Sequence, residues 1–199
     1  MTEDARFEAP EPPPGTGGGE PTDQPAAPLY FPVSMTKFLV LSLCTFGIYQ
    51  FYWFHANWKI IKRREGSNIS PFWRTFFVFV FCYALFDRIR KSAASLNIAS
   101  GFHPGLLTAV WIGVSLAANL PAPYMLIGLF QVGALVPLQR AVIAINARAA
   151  PGIDPNRRFG PFQIIVVVIL GPNFLLTVAA ILIAGGVIEV PMDVMTILL

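Results

Sequence analysis

The stretch TFGIYQFYWFHANWKIIKRREGSNISPFWRTFF, residues 45–77, sets a dense group of aromatic side chains directly before a basic cluster. Trp and Tyr favour the depth of lipid headgroups, and Lys and Arg collect on the cytoplasmic side of a membrane. An active site would need paired carboxylates, a nucleophile with its base or clustered metal ligands, and the stretch contains no such set. We therefore interpret it as a membrane anchor.

The composition of the whole chain supports a membrane protein. Of its 199 residues 55% are hydrophobic and only 13% are charged, whereas a soluble domain carries about 25% charged residues. Residues 1–28 differ from the rest, because they combine many Pro and Gly residues with six acidic residues and one basic residue. Such a segment cannot bury enough apolar surface to fold. We predict a disordered acidic tail over 1–28 and a helical membrane domain over 29–199.

The membrane domain contains five apolar segments. They cover residues 38–55, 72–86, 104–120, 122–139 and 161–186. A helix needs about 20 apolar residues to cross a hydrocarbon core about 30 Å thick, so most of these segments are marginal and the last is ample. No segment alternates apolar and polar residues as the strands of a barrel do. The pattern predicts an all-α fold, a polytopic helical membrane bundle of four to five hydrophobic helices.

The positions of the positive charges leave two topologies open. Basic residues flank both ends of the segment 72–86. If that segment crosses the membrane as part of five spans, one basic flank faces outward, against the usual distribution. If the first two segments form a shallow hairpin, or 72–86 lies in the interface, every basic cluster becomes cytoplasmic. The uncharged turn at 119–123 and the acidic C-terminus are the segments predicted to be external.

Two basic stretches, 55–64 and 138–150, are predicted to be amphipathic junction helices on the cytoplasmic leaflet. Their cations would lie close to anionic lipid headgroups, where each contributes about 1 kcal/mol. The predicted headgroup-binding residues are Lys59, Lys62, Arg63, Arg64, Arg140, Arg148, Arg157 and Arg158. The order of an apolar segment, a basic stretch, a turn and another apolar segment occurs at 46–80 and again at 124–170. Either an internal repeat or convergence on one membrane layout explains this order.

Two sequence blocks carry a resemblance to a known family. They are TFG-x-Y-x-x-YWF-x-x-NW at residues 45–58 and ISPF-x-R at residues 69–74. With them, residues 31–77 resemble an uncharacterised family of small bacterial integral membrane proteins. Residues 144–165, AINARAAPGIDPNRRFGPFQII, resemble that family's second cytoplasmic junction and final helix. The resemblance implies a multi-pass protein of the bacterial cytoplasmic (inner) membrane, and it implies no activity and no catalytic residue.

Candidate chemistry is sparse. We interpret His55 and His103 as boundary anchors or caps, because neither has a carboxylate or a second ligand nearby in sequence. Asp87 is predicted to pair with Arg90 or Lys91 one helical turn along. The sequence contains none of the motifs of hydrolases, metalloproteases or nucleotide-binding proteins. We therefore predict no catalytic residue, no metal ligand and no cofactor, and we predict no nucleic-acid partner because the aromatics of the basic clusters continue into lipid-length helices.

Uncharged polar residues inside the apolar segments are the better functional pointers. Gln131 and the step Gly171-Pro172-Asn173 could pack helices together or line a pathway. Gly113 with Ala117, and Ala180 with Ala184, have the spacing that lets helices approach closely. We predict a non-enzymatic scaffold or modulator of a membrane complex, bound to the bilayer and its anionic lipids, with a homo-oligomer or a membrane protein as partner. A small transporter or channel is the alternative, and a membrane-embedded enzyme is the third hypothesis.

Overall fold

The computed structural model describes residues 27–154 and 156–188, and this part of the chain is all-helical, as predicted. The predicted tail lies outside the described residues, apart from its last two positions. The α-helices are α1 Met35–Cys44, α2 Ile48–Glu65, α3 Pro71–Phe76, α4 Val78–Ser95, α5 Pro104–Ala117, α6 Phe130–Ala134, α7 Val136–Ala149 and α8 Pro161–Ala184. A 3₁₀ helix over Tyr124–Leu129 leads into α6, so that residues 124–149 form one long helical segment.

Two helical segments are long and apolar enough to cross a membrane. They are Tyr124–Ala149 and α8. They differ in burial, because 39% of the apolar window of Tyr124–Ala149 is buried inside the protein and none of the window of α8 is. A buried core helix of a soluble protein could also be apolar, but that explanation does not apply to α8.

The predicted apolar helix over 38–55 is broken into α1 and α2. The chain reverses at Thr45–Gly47, where Phe46 has φ 49° and Gly47 has φ 87°. Thr45 fastens the turn to both helices: its Oγ1 donates to the carbonyl of Leu41 (2.7 Å) and accepts from the backbone N–H of Tyr49 (3.0 Å). A residue with left-handed backbone dihedral angles interrupts a helix, and glycine adopts these angles more readily than other residues. The first apolar segment is therefore a helical hairpin.

This hairpin reaches only halfway along α8. At its start, the Lys37 ammonium donates to Asn156 Oδ1 (2.9 Å) and to the carbonyl of Arg158 (2.8 Å), just before α8 begins. At its tip, the ring of Phe46 lies 5.0 Å from that of Phe174, near the middle of the 24-residue α8. The helix α1 has 10 residues, a length of about 15 Å. That is half of what a hydrocarbon core requires.

The predicted helix over 72–86 is also broken, at Phe77, between α3 and α4. The guanidinium carbons of Arg74 and Arg88 lie 4.3 and 5.8 Å from the centroid of the same ring, that of Trp58. They are therefore at most about 10 Å apart, and a hydrocarbon core about 30 Å thick cannot separate them. The basic residues at the two ends of this segment thus lie on the same side.

Side-chain hydrogen bonds join α5 to α2 and to α6. Trp111 of α5 donates its Nε1–H to Gln50 Oε1 (3.0 Å), and Ser115 one turn later donates to Gln131 Oε1 (2.9 Å) on α6. The chain then reverses through residues 118–123. A Cβ on Gly185, just after α8, would approach Pro123 to 2.8 Å. The turn at 118–123 therefore lies at the end of α8 opposite Lys37.

The apolar side chains of the two basic stretches lie in the protein core, so the prediction that these stretches lie on the cytoplasmic leaflet now concerns their cations alone and stays a prediction. The stretch 55–64 is the second half of α2, and 138–150 is most of α7. Trp58 and Ile61 of α2, and Val142 and Ile145 of α7, are each 0% exposed. They pack with residues of α4 and α5 in one cluster. The lysine and arginine side chains of both stretches are exposed.

Candidate functional site: the basic end of the bundle

Three buried amide side chains hold the extended segment Leu29–Val33 against the bundle. Asn146 of α7 pairs with both backbone groups of Tyr30, accepting from its N–H (3.1 Å) and donating to its carbonyl (2.8 Å). Asn57 of α2 accepts from the N–H of Phe31 (3.0 Å), and Gln139 of α7 donates to the carbonyl of Val33 (2.7 Å). A buried extended backbone needs such partners because it has no helix of its own.

The side chain of Tyr30 joins three helix ends. Its hydroxyl shares a hydrogen bond with Ser92 Oγ of α4 (2.8 Å). Arg64 of α2 donates to the carbonyl of Leu29 (3.1 Å) and places its guanidinium 5.4 Å from the Tyr30 ring centroid. With Asn146 of α7, these contacts gather the C-terminal ends of α2, α4 and α7, and Lys37 adds the start of α8. We call this assembly the basic end.

Within residues 27–154 and 156–188, charge is confined to the half of the bundle nearest the basic end. Four stretches contain no Lys, Arg, Asp or Glu, namely residues 38–58, 75–86, 92–139 and 159–188. These stretches include the hairpin tip at Phe46, the turn at 118–123 and all of α8. The fold thus sorts a chain with scattered basic clusters into one charged end and one uncharged remainder, which is the distribution that a membrane imposes.

The eight predicted headgroup-binding cations are all exposed. They fall into three groups: Lys59, Lys62, Arg63 and Arg64 on α2, Arg140 and Arg148 on α7, and Arg157 and Arg158 before α8. Arg64 differs from the others because it also lies 3.6 Å from the Glu65 carboxylate and contacts the Leu29–Val33 segment. The geometry allows these side chains to reach anionic headgroups.

A charged cluster that the local sequence pattern does not predict lies around Trp58. Arg88 forms an ion pair and a hydrogen bond with Glu65, joining α4 to α2. The hydrogen bond from Arg88, together with the charges of Arg88 and Arg64, lowers the pKa of Glu65 below its ordinary value of 4.5. Arg74 of α3 lies over Trp58. The sign of this cluster in the sequence was Arg74, the arginine of the ISPF-x-R block. Its neighbours Trp58 and Arg88 lie on α2 and α4 and are distant from the block in sequence, so the block alone did not predict the cluster.

The other candidate residues have ordinary surroundings. Asp87 pairs with Lys91 at 2.7 Å, which confirms one of the two predicted partners. His55 is half-buried beside Phe72 and Phe76 of α3, in a groove of about 480 Å³. His103 is exposed in front of α5. Among residues 27–154 and 156–188, no group of three His, Cys, Asp or Glu side chains is arranged to hold a metal ion.

The predicted pathway residues lie on either side of Phe46. Gln131 packs against Gly47 and lines a cavity of about 70 Å³ with Gln50, Ser115 and Phe46. On the other side, the step Gly171-Pro172-Asn173 does not break α8, which continues to Ala184. Gly171 faces Cys44 of α1, whose Sγ would lie 3.7 Å from a Cβ at that position. The contacts of both groups are those of helix packing.

Comparison of the chain with protein-family models, with curated proteins and with solved structures finds no match. The resemblance of residues 31–77 and 144–165 to an uncharacterised family therefore stays a prediction.

Proposed function

We propose that this chain is an integral membrane protein that scaffolds or modulates a membrane complex, without an enzymatic activity of its own. Its basic end lies on the anionic cytoplasmic leaflet, and α8 faces lipid and a partner. The observation that carries this proposal is the exposure of α8, which is apolar on all sides and has no buried residue over 24 residues. Soluble monomers rarely expose an apolar surface of this extent. By resemblance, the membrane is the inner membrane of a bacterium.

The proposed topology has three crossing segments and two hairpins that enter and leave on one side. The crossings are α5, Tyr124–Ala149 and α8, and the hairpins are α1–α2 and α3–α4. The 24 residues of α8 span about 36 Å, enough for the hydrocarbon core. The helix α5 is short, with 14 residues, and a bilayer accommodates a short span by local thinning. This arrangement puts every described cation on the cytoplasmic side and the 118–123 turn outside.

Cysteine labelling distinguishes this topology from five spans. In a chain whose two cysteines are replaced by alanine, we expect Asn119→Cys to react with a membrane-impermeant maleimide added to intact spheroplasts. Asn68→Cys and Ser95→Cys, which flank the α3–α4 hairpin at exposed positions, should react only after permeabilisation. A five-span protein would place positions 68 and 95 on opposite sides, so labelling of one of them from outside would contradict the hairpin.

Small residues on the outer surface support assembly with another helix. Ala180 and Ala184 are exposed on α8. Gly113 of α5 is also open, because a Cβ there would meet no atom within 4 Å. Small residues four apart let a second helix approach closely, and in the described part of the chain none of these three is covered. The contact they favour is therefore one between chains.

Photocrosslinking in the native membrane tests the scaffold proposal. A photoreactive residue at position 180 of α8 is expected to give one discrete adduct, with a stoichiometric partner protein or a second copy. The matched control at Leu175, an exposed position of α8 about 140° around the helix from position 180, should give none. Neutralising Lys59, Lys62 and Arg63 to Gln should weaken the adduct by loosening the basic end from the leaflet. A purified monomer that crosslinks only to lipid and conducts a solute in proteoliposomes would refute the scaffold and favour the transporter.

One observation favours that transporter or channel alternative. The cavity beside Gln131 lies in the uncharged half of the bundle and has a volume of about 70 Å³, room for about two water molecules. Gln50 lines it, is 1% exposed and has no hydrogen-bond partner for its Nε2 among the described residues. If the cavity belongs to a pathway, Gln131→Leu would abolish the flux measured in proteoliposomes.

A further inference from the structure

The charges around Trp58 do not balance. Arg64 and Arg88 share one carboxylate, that of Glu65. Arg74 lies beside the same ring, 4.3 Å from its centroid, and has no ion-pair partner in the part of the chain that the structure describes. Three guanidinium groups therefore surround a single carboxylate. The cluster carries an excess of two positive charges.

Arg74 is placed where an unpaired cation is unfavourable. Its side chain is half-buried, and its guanidinium carbon lies 4.3 Å from the centroid of the Trp58 ring and 5.4 Å from that of the Phe81 ring. Burial, and next the nearby charge of Arg88, lower the pKa of Arg74. Both causes oppose the charged form of a side chain that stays protonated in proteins. An anion bound between Arg74 and Arg88 would offset the repulsion between the two cations and would compensate Arg74 for the hydration that it loses on burial.

A buried donor at the same ring also lacks an acceptor. Trp58 is 0% exposed, and its Nε1–H has no hydrogen-bond partner among the described residues. The hydroxyl of Ser67, two residues after Glu65, is buried and unpartnered as well. Buried polar groups are nearly always paired, so each exception points to something that completes it. Here the missing component is an acceptor next to two guanidinium groups.

We propose that Arg74, Arg88 and Trp58 form a binding site for a phosphate group, supplied by a phospholipid headgroup or by free phosphate. The planar guanidinium fork matches phosphate oxygens in a bidentate way, and the indole N–H donates to a further oxygen. This goes beyond the proposed function, in which exposed cations attract a leaflet by charge alone. The phosphate site rests on the proposed function only if the phosphate group belongs to a phospholipid.

The surroundings favour the lipid source. The helix α3 exposes Phe72, Trp73 and Phe76 on either side of Arg74, each with more than half of its surface accessible. Exposed aromatic side chains on a short helix insert at the boundary between headgroups and acyl chains. A phospholipid seated there would place its phosphate at the depth of Arg74.

Native mass spectrometry of the full chain tests the site. The protein in detergent micelles is titrated with phosphatidate, with oleate as an anionic lipid without phosphate, and with inorganic phosphate. We expect the wild type to retain one phosphatidate far more tightly than oleate. Arg74→Gln should weaken retention about tenfold, because a charge-assisted bidentate contact is lost. Arg90→Gln, which removes an exposed cation of α4 that is outside the predicted headgroup-binding set, is the matched control and should change it less than twofold.

Competition between phosphatidate and inorganic phosphate identifies the source of the phosphate group. Displacement of phosphatidate by millimolar inorganic phosphate would identify the phosphate group itself as sufficient, and no displacement would identify the lipid; both support the site. If Arg74→Gln unfolds, Arg74→Lys decides, since it keeps the charge but loses the fork and should still weaken retention about threefold. Equal retention of oleate and phosphatidate by the wild type, or equal losses in Arg74→Gln and Arg90→Gln, would overturn the site and leave the charge-driven leaflet contact intact.

Discussion

Gln139→Leu is expected to lower the free energy of unfolding by about 2–6 kcal/mol, because it leaves two buried polar groups without partners at about 1–3 kcal/mol each. Gln139 is 0% exposed and uses both ends of its amide. Its Oε1 accepts from Trp53 Nε1 (2.9 Å) and its Nε2 donates to the carbonyl of Val33 (2.7 Å). Leucine fills a similar volume but satisfies neither group. Denaturant titration in detergent micelles measures the change.

Two further variants isolate the hydrogen bonds of Gln139 from its packing. Trp53→Phe removes the indole N–H, so that the double variant Trp53→Phe/Gln139→Leu should be less destabilised than the sum of the single changes. Asn119→Leu removes an exposed amide that bonds only to the nearby carbonyl of Leu116, and should change stability by less than about 0.5 kcal/mol. Equal effects of Gln139→Leu and Asn119→Leu would contradict the role assigned to Gln139.

Gly47→Ala is expected to destabilise the protein by about 2–3 kcal/mol. A φ of 87° is unfavourable for any residue with a Cβ, by about 1–2 kcal/mol. The new Cβ would also lie 2.5 Å from Gln131 Nε2. Moving that amide aside breaks its bond with Ser115, at about 1 kcal/mol. Unfolding titrations of the variant against wild type measure the loss.

Gly66→Ala is the matched control for Gly47→Ala. Gly66 also has a positive φ, 57°, at the end of α2, but a Cβ there would meet no atom within 4 Å. Its substitution should therefore show the backbone penalty alone. Adding Gln131→Ala to Gly47→Ala should recover part of the loss, since it removes the clashing amide. If both glycine variants lose the same stability, the contact between Gly47 and Gln131 has no energetic role.

The contacts made by its residues explain much of the TFG-x-Y-x-x-YWF-x-x-NW block in structural terms. Thr45 and Gly47 form the turn between α1 and α2, and Trp53 bonds to α7. Asn57 accepts from the Leu29–Val33 segment, and Trp58 lies under Arg74. The block thus encodes a hairpin and its packing. Apart from Trp58, the side chains named here contact other parts of the same chain.

The local sequence pattern was sufficient to predict several features of this protein. The apolar run of α8, the exposed cations and the pair of Asp87 with Lys91 follow from residues adjacent in sequence or one helical turn apart. The breaks at Gly47 and Phe77 did not follow, because both neighbouring helices are apolar and the run of hydrophobic residues continues through the break. Lipid and protein core favour the same side chains, so the pattern around Trp58 could not distinguish them.

The sequence by itself determined the all-helical class, the long apolar α8 and the clustering of positive charge beside apolar segments, since each depends on local composition. Tertiary contacts were needed to show that the first segment turns back halfway along α8, that the ends of α2, α4 and α7 meet around Tyr30, and that Arg74 and Arg88 share one indole ring. These features depend on contacts between residues far apart in sequence. Asn146 and Tyr30, for example, are separated by 116 positions, and no local pattern specifies which amide a given backbone group will meet.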